Sequence, residues 1–246
     1  MSDSLKINIS EKILSDFDKN HFSPKYEGVF FTLEEGEQTQ FPTLDDGRSL
    51  EELFPFWDMN DAHLYYRILG YLSTLFNDKV LVDIGTRRGY SACSLAFNES
   101  NTVYTYNNTE EVIENDAFSK FNNIKPFVLQ HVDGDDTPLG NILSREEHAN
   151  IVLSSDLIFM DTDPHSGAHE EQLLCFLIEN KYKGITLWDD INVQLNNWWN
   201  ETVLNYMKDP TWRELWDATC YNLKEYSWSA GGTGVICFGE QEIVLE

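Results

Sequence analysis

The fold is decided by the stretch Val80-Leu81-Val82-Asp83-Ile84-Gly85-Thr86-Arg87-Arg88-Gly89-Tyr90-Ser91. Five residues typical of a strand lead directly into a glycine, a short turn and a second glycine. Ser91 then opens the apolar run 92–97. This order predicts a buried strand, a tight turn and the start of a helix, which together form the first half of a βαβ unit.

Two common glycine-rich loops do not fit this stretch. A P-loop needs Lys and then Ser or Thr directly after its last glycine, whereas Gly89 is followed by Tyr90 and Ser91. A dinucleotide-binding loop needs a glycine two residues after the first one, where the backbone approaches the pyrophosphate, and that position is Arg87. What remains is an acidic residue, Asp83, ahead of two glycines. A turn without a binding role, in another kind of α/β protein, is the alternative interpretation.

Strands and helices alternate along the rest of the chain. Apolar and β-branched segments predict strands at 79–84, 102–106, 126–132, 156–161, 184–189, 219–223 and 235–238. Helical patterns predict a first helix that begins at Asp61 and further helices at 110–120, 137–149, 168–181 and 197–207. Such alternation implies right-handed crossovers and a parallel sheet, whereas the last two strands have no helix between them and pair antiparallel. We expect an α/β, Rossmann-like sandwich with a mostly parallel seven-stranded sheet that ends in an antiparallel C-terminal hairpin.

The acid-x-Gly-x-x-x-Gly pattern and this order of strands resemble the class I S-adenosylmethionine (SAM)-dependent methyltransferases over residues 60–240. SAM has no pyrophosphate, so the absent middle glycine is compatible with it. The resemblance implies that Asp83 faces the amino group of SAM. The turn and the helix start would accept its methionine carboxylate, favoured by the helix dipole. The SAM-binding residues expected here are Asp83, Gly85, Thr86, Gly89, Tyr90 and Ser91.

Two further strand ends belong to the same expected SAM site. The second strand ends at Asn107, where the family usually has an acid that holds the ribose hydroxyls. Asn107 can still hydrogen-bond a hydroxyl as donor or acceptor. Gly134 and Asp135, after the third strand, match the place where the family contacts adenine. An ordinary acidic turn is the alternative for these two residues.

Acidic residues also follow the fourth and fifth strands. Asp161 ends the fourth strand, and Asp189 and Asp190 end the fifth. Adjacent parallel strands bring these carboxylates to one point, where they repel each other unless a cation lies among them. Mg²⁺ or another divalent cation fits, because Mg²⁺ takes oxygen ligands. The arrangement resembles the metal-dependent O-methyltransferases of the catechol and macrocin types. The alternative is that Asp189 caps the next helix, Asp190 faces solvent and no metal binds.

The same resemblance bears on the base that removes a proton from the acceptor. The catechol type has a lysine three residues beyond its first metal ligand, and here that position is Pro164. His165 titrates near neutrality and can take a proton directly or through one water. Asp163 matches the Asp-x-Asp spacing of macrocin-like enzymes. Both are candidate catalytic residues, and a structural histidine is the alternative for His165.

Composition excludes several classes of partner. The chain has 246 residues and a formal charge of −25, so we expect no general binding to nucleic acid or to anionic membranes. The N-terminal residues lack the apolar core of a secretory signal, and no apolar run approaches the length that a bilayer requires. The four cysteines are far apart and suggest reduced thiols. We therefore expect a cytoplasmic protein.

The N-terminal segment 1–59 is less regular than the rest. Residues 5–17 predict a short amphipathic helix, and 28–33 predict a strand. We interpret 1–59 as a cap over the site or as a contact between copies of the chain in a homo-oligomer, and 60–246 as the methyltransferase domain.

These observations favour a SAM-dependent methyltransferase that O-methylates a small molecule with vicinal hydroxyls, a sugar or a phenol, with Mg²⁺. A non-catalytic protein with the same fold, which binds a nucleoside ligand as a regulatory subunit, is the alternative that Asn107 and Pro164 favour. An amino-methylating nucleic-acid methyltransferase is a third. These enzymes have an Asp-Pro-Pro-Tyr signature, and Asp163-Pro164-His165 here lacks its second proline and its aromatic residue. The negative charge of the chain also repels phosphate.

Overall fold

The computed structural model describes residues 6–26, 62–85, 89–108, 120–129, 139–162, 167–189, 191, 199, 203, 218–223 and 232–246. The strands are β1 (Lys6–Ile9), β2 (Val80–Ile84), β3 (Thr102–Asn107), β4 (Ile124–Val128), β5 (Leu157–Met160), β6 (Ile185–Trp188), β7 (Ala218–Asn222), β8 (Gly234–Phe238) and β9 (Glu242–Leu245). The helices are α1 (Glu11–Phe17), α2 (Ser23–Tyr26), α3 (Ala62–Ser73), α4 (Tyr90–Leu95), α5 (Leu139–Ser144), α6 (Glu146–Ser154) and α7 (Ala168–Glu179), with a π-helical segment, Asp18–Phe22, between α1 and α2. None of the helices in these ranges is long and apolar enough to cross a membrane.

Seven strands form one sheet in the order β4-β3-β2-β5-β6-β8-β7. Strands β2 to β6 are parallel to one another, and β8 runs antiparallel to both β6 and β7. The predicted mostly parallel sheet with an antiparallel C-terminal hairpin is confirmed. After β4 the chain returns to the other side of β2, so the strand order reverses between β2 and β5. In an open parallel sheet, the carboxyl ends of the strands form a ligand-binding crevice at this point.

Each face of the sheet is covered by one apolar cluster. On one face, residues such as Phe159 and Leu187 pack with α1, α3 and α4, and we call it the α3 face. On the other, Met160 and Trp188 pack with α5, α6 and α7, and we call it the α7 face. Trp188 is fully buried, and its indole N–H donates to the Thr186 hydroxyl (2.7 Å).

The expectation of a helix over residues 5–17 is wrong for its first part. Lys6–Ile9 is β1, which pairs in parallel with β9, a strand absent from the sequence prediction. Ile7 and Ile9 are buried and the residues that alternate with them are exposed, which is the period of a strand. Helix α1 begins only after Ser10, whose hydroxyl accepts a hydrogen bond from the Ile13 backbone N–H (3.2 Å).

Other predicted boundaries shift or fall outside the described residues. The third predicted strand, 126–132, corresponds to β4, which begins two residues earlier and ends at Val128. The predicted helix 137–149 is two helices, α5 and α6, because Arg145 between them has an extended backbone (φ −103°, ψ 115°). The predicted strand 28–33 lies outside the described residues, as do the helices 110–120 and 197–207 apart from residues 120, 199 and 203. The division into 1–59 and 60–246 stays a prediction.

Candidate functional site

The carboxyl ends of three neighbouring strands align at one level of the sheet. Strands β2, β5 and β6 pair in register, and one residue past their last pairs stand Gly85, Asp161 and Asp189. The ladder continues through them, because the Asp161 N–H donates to the Ile84 carbonyl (2.9 Å) and the Asp189 N–H to the Met160 carbonyl (3.0 Å). Neighbouring strands lie about 4.8 Å apart. Asp161 and Asp189 are therefore side by side at this edge.

The aspartates also share a face of the sheet. Side chains alternate along a strand, and Phe159 and Leu187, two residues before Asp161 and Asp189, belong to the α3 face. Asp83 lies on this face too, since it pairs directly with Phe159. Three carboxylates from three strands are thus gathered beneath α3.

Tyr66 on α3 lies close to these carboxylates. Its ring packs edge-on against Tyr90 at the start of α4, with 6.0 Å between ring centres and 71° between ring planes. Burial raises the pKa of the Tyr66 hydroxyl above its usual value of 10.0, and the charges of Asp161, Asp189 and Asp83 raise the pKa further. The phenol is therefore protonated at neutral pH, where it can donate a hydrogen bond.

Asp83 is fully buried within β2. Its carboxylate accepts a hydrogen bond from the Thr105 hydroxyl on β3 (2.6 Å). Burial raises the pKa of the nearby Cys93 thiol to about 12, and the charge of Asp83 acts in the same direction. Cys93 and the other cysteines are free thiols. Asp83 is thus fixed at the foot of the turn that begins at Gly85.

The turn after β2 contains two glycines in the left-handed region, with φ 97° at Gly85 and φ 83° at Gly89. A Cβ atom built on Gly85 would overlap the carbonyl oxygen of Asp161. The sequence analysis explains Gly85 by the close approach of a ligand. The structure gives a second reason for a glycine here, because the backbone at the end of β5 lies too close for any side chain. Tyr90 and the buried Ser91 open α4 directly after Gly89.

Asn107 extends this level of the sheet to β3. Ile84 pairs with Tyr106, so the next residues of the two strands, Gly85 and Asn107, stand beside each other. Asn107 is 7% exposed. Its carbonyl accepts a hydrogen bond from the Leu129 N–H (2.9 Å), which fixes it to the end of β4. We call the aligned residues Asn107, Gly85, Asp161 and Asp189 the carboxyl-edge row.

The remaining predicted site residues lie outside the described part of the chain: Thr86, Gly134, Asp135, Asp163, His165 and Asp190. Among the described residues, no group of three or more His, Cys, Asp or Glu side chains is placed to hold a metal ion. The third predicted metal ligand, Asp190, is not among them.

No protein-family model and no curated protein sequence matches this chain. Among solved structures, it is similar to a proposed caffeoyl-CoA O-methyltransferase from Staphylococcus aureus, with a TM-score of 0.50 and 17% sequence identity over 93% of this chain and 99% of that chain. This is the SAM-dependent O-methyltransferase fold. A proposed O-methyltransferase from Klebsiella pneumoniae gives a TM-score of 0.49 and 16% identity over 89% of this chain and 100% of that chain. An O-methyltransferase from Bacillus cereus in complex with SAH gives a TM-score of 0.46 and 14% identity over 70% of this chain and 80% of that chain. At such identities the similarity is one of fold.

Two residues at the carboxyl edge of this O-methyltransferase fold are missing from the sequence predictions. The helical pattern of α3 indicates its apolar face, but it does not indicate that the charges of aspartates on β5 and β6 act on the Tyr66 hydroxyl. Thr233 stands directly before β8, opposite Asp189, and is 1% exposed. The only signal in the sequence for Thr233 is its place next to a predicted strand.

Proposed function

We propose that this protein is a SAM-dependent O-methyltransferase that methylates a small molecule with two neighbouring hydroxyls, such as a sugar or a phenol, with Mg²⁺ bound beside SAM. The observation that carries the proposal is the placement of Asp161 and Asp189 side by side, next to Gly85, where the strand order reverses. The fold supports SAM as the methyl donor, and the pair of carboxylates supports a metal-assisted reaction.

The SAM-binding end of the site would be formed by β2 and β3. When bound, SAM supplies the methyl group that is transferred. Asp83, held by Thr105, would accept hydrogen bonds from the amino group of SAM. Backbone N–H groups between Gly85 and the start of α4 would bind its carboxylate. The full proposed set is Asp83, Gly85, Thr86, Gly89, Tyr90, Ser91, Asn107, Gly134 and Asp135.

The metal-binding end would be formed by Asp161 and Asp189, with Asp190 as the third ligand. The residues fit Mg²⁺, which prefers carboxylate oxygens, because the two described carboxylates are adjacent, on one face and partly exposed. When bound, Mg²⁺ would hold two neighbouring hydroxyls of the acceptor and lower the pKa of one of them.

The proton of that hydroxyl needs an acceptor, and His165 and Asp163 remain the candidates. If His165 is the base, His165→Gln should lower turnover by about 10²-fold and remove a rise in rate near pH 6–7. If Asp163 is the base, Asp163→Asn should have this effect instead. A hydroxyl ionised by the metal alone would leave both variants active.

Binding experiments test the two ends of the site separately. We expect calorimetry to detect SAM binding to the wild type in Mg²⁺ and equally in EDTA. We expect Mg²⁺ at about 100 times its Kd to raise the Tm by about 5–10 °C. The variant with Asp161→Asn and Asp189→Asn should lose this response. Asp156→Asn is the matched control, because Asp156 lies at the opposite end of β5, paired with Lys79 (3.0 Å).

Turnover with matched acceptors tests the reaction itself. Transfer of a labelled methyl group from SAM should occur with 1,2-dihydroxybenzene or with sugars that carry vicinal hydroxyls, and not with 1,4-dihydroxybenzene. If the protein binds SAM and Mg²⁺ does not change its Tm, the metal-dependent reaction is refuted. SAM binding without any transfer would favour the non-catalytic alternative, which Asn107 in place of the usual acid supports.

A further inference from the structure

Thr233 extends the carboxyl-edge row beyond Asp189. Trp188 pairs with Gly234 in the antiparallel ladder of β6 and β8, so the next residues, Asp189 and Thr233, stand opposite each other. Val235, two residues after Thr233 and therefore on the same face, packs on the α3 face. The Thr233 side chain therefore lies on the same face as Asp189. Directly opposed residues of an antiparallel pair have Cβ atoms about 4.5–5.5 Å apart, which places the Asp189 carboxylate within reach of the Thr233 hydroxyl.

The Thr233 hydroxyl is buried and has no hydrogen-bond partner within the part of the chain that the structure describes. The hydroxyl of Thr162, next to Asp161, is in the same state. Buried threonines deeper in the sheet are satisfied, since Thr105 donates to Asp83 (2.6 Å) and Thr186 accepts from the Trp188 indole (2.7 Å). A buried hydroxyl without a partner lowers stability. The Thr233 hydroxyl, unlike the hydroxyls of Thr105 and Thr186, therefore remains available to donate a hydrogen bond to a neighbouring carboxylate.

The backbone around Thr233 is held on both sides. Its carbonyl accepts a hydrogen bond from the Leu223 N–H at the end of β7 (2.8 Å). The preceding carbonyl, of Gly232, accepts one from the Ile191 N–H just after β6 (3.3 Å). The backbone position of Thr233 is therefore fixed, and only its side chain has to rotate for the hydroxyl to form a hydrogen bond.

We propose that Thr233 is a positioning residue for the metal site, and that its hydroxyl donates a hydrogen bond to the Asp189 carboxylate when that carboxylate binds the cation. The proposal rests on the proposed binding of Mg²⁺ at Asp161 and Asp189. A carboxylate that gives one oxygen to a cation can still accept hydrogen bonds at the other. Residues that orient a metal ligand in this way typically change metal affinity by about 10- to 100-fold.

Three variants of the full chain test the proposal with Mn²⁺ as the probe. Thr233→Val keeps the shape of the side chain and removes the hydroxyl, whereas Thr233→Ser keeps the hydroxyl. Thr186→Val is the matched control on β6, because it removes a hydroxyl that has a partner. For each protein, Mn²⁺ binding is measured by electron paramagnetic resonance, SAM binding by calorimetry, and the Tm in EDTA.

We expect Thr233→Val to weaken Mn²⁺ binding by about 10-fold or more while SAM affinity stays unchanged. In EDTA its Tm should equal that of the wild type or exceed it by about 2–6 °C, because a buried hydroxyl without a partner has been removed. Thr233→Ser should bind Mn²⁺ within about 3-fold of the wild type. Thr186→Val should have a lower Tm and unchanged Mn²⁺ affinity.

Wild-type affinity for Mn²⁺ in Thr233→Val would overturn the proposal, and so would a drop in Tm in EDTA as large as that of Thr186→Val. The first result would mean that the hydroxyl does not act on the metal ligand, and the second that it is structural. If the wild type itself did not bind Mn²⁺, the metal part of the proposed function would fail, and the inference on Thr233 with it. Mn²⁺ binding by the wild type shows that the metal site exists, so the affinity of Thr233→Val then tests the role of Thr233 separately.

Discussion

Gly85→Ala should destabilise the fold far more than an ordinary glycine-to-alanine change in a turn. Gly85 has φ 97°, which L-residues rarely adopt. A Cβ atom there would overlap the carbonyl oxygen of Asp161, and it would lie 2.6 Å from the carbonyl carbon of Asp161 and 3.0 Å from Cγ2 of Thr162. These contacts involve backbone at the end of β5, which cannot rotate away as a side chain can.

The magnitude follows from two additive costs. The left-handed conformation costs an L-residue about 1–2 kcal/mol. Forced displacement of close-packed atoms costs about 1–3 kcal/mol more. A total loss of about 2–5 kcal/mol corresponds to a decrease in Tm of about 5–15 °C for a chain of this size.

Gly239→Ala is the matched control. Gly239 also has a positive φ, 80°, but a Cβ atom there would meet only the flexible side chain of Lys183, at 3.2 Å. It should therefore show the conformational cost alone, about 1–2 kcal/mol. Urea denaturation and thermal unfolding of both variants measure the difference. Equal losses in the two variants would refute the steric role of the Asp161 carbonyl. Loss of SAM binding in Gly85→Ala would not identify a ligand contact by itself, since the turn is already displaced.

Two further changes probe buried groups of the fold. Burial raises the pKa of the Cys93 thiol to about 12, so the thiol stays protonated in the folded chain at pH values where the unfolded thiol ionises. Its contribution to stability is therefore complete below about pH 8.5 and is lost as the pH rises towards 12. Between pH 8 and pH 11, the unfolding free energy of the wild type should fall by about 2–3 kcal/mol more than that of Cys93→Ala, and parallel pH profiles would contradict this. Glu11→Gln weakens the hydrogen bonds to the buried Arg67 guanidinium (2.9 and 3.1 Å) and should cost about 1–3 kcal/mol in urea denaturation. Lys6→Gln, at an exposed pair with Glu242 (4.0 Å), should cost less than about 0.5 kcal/mol, and a similar loss in both variants would be inconsistent with the burial of Arg67.

The central strands are predictable because they are buried on both faces. Such strands are continuous apolar runs, and Leu157–Met160 and Ile185–Trp188 are recognisable without any knowledge of their partners. Their carboxyl ends follow from the runs, so the candidate aspartates could be named from the sequence. The antiparallel hairpin of β7 and β8 followed from the short connection between them.

The parts that were missed depend on contacts between distant residues. Strand β1 has only four residues, and its partner β9 lies at the other end of the chain, so neither strand has a local pattern strong enough to distinguish it from a helix or a loop. Tyr66 and Thr233 lie near the predicted site residues only because α3 covers one particular face and β8 aligns Thr233 with Asp189. Periodicity indicates which side of an element is buried, but not which residue it meets.

Polar character on the α3 face increases level by level toward the carboxyl edge, and this gradient supports the proposed site there. One level consists of the apolar residues Val103, Leu81, Leu157, Ile185 and Cys237. Two residues closer to the edge, the aligned residues are Thr105, Asp83, Phe159, Leu187 and Val235. At the edge they are Asn107, Gly85, Asp161, Asp189 and Thr233, and none is apolar apart from the glycine that β5 requires. Two of these residues, Asn107 and Thr233, are buried, and burial of polar groups costs stability. The adjoining level of the α7 face, one residue further in, is apolar at Ile84, Met160 and Trp188. Departures of this kind are expected where a protein binds or reacts.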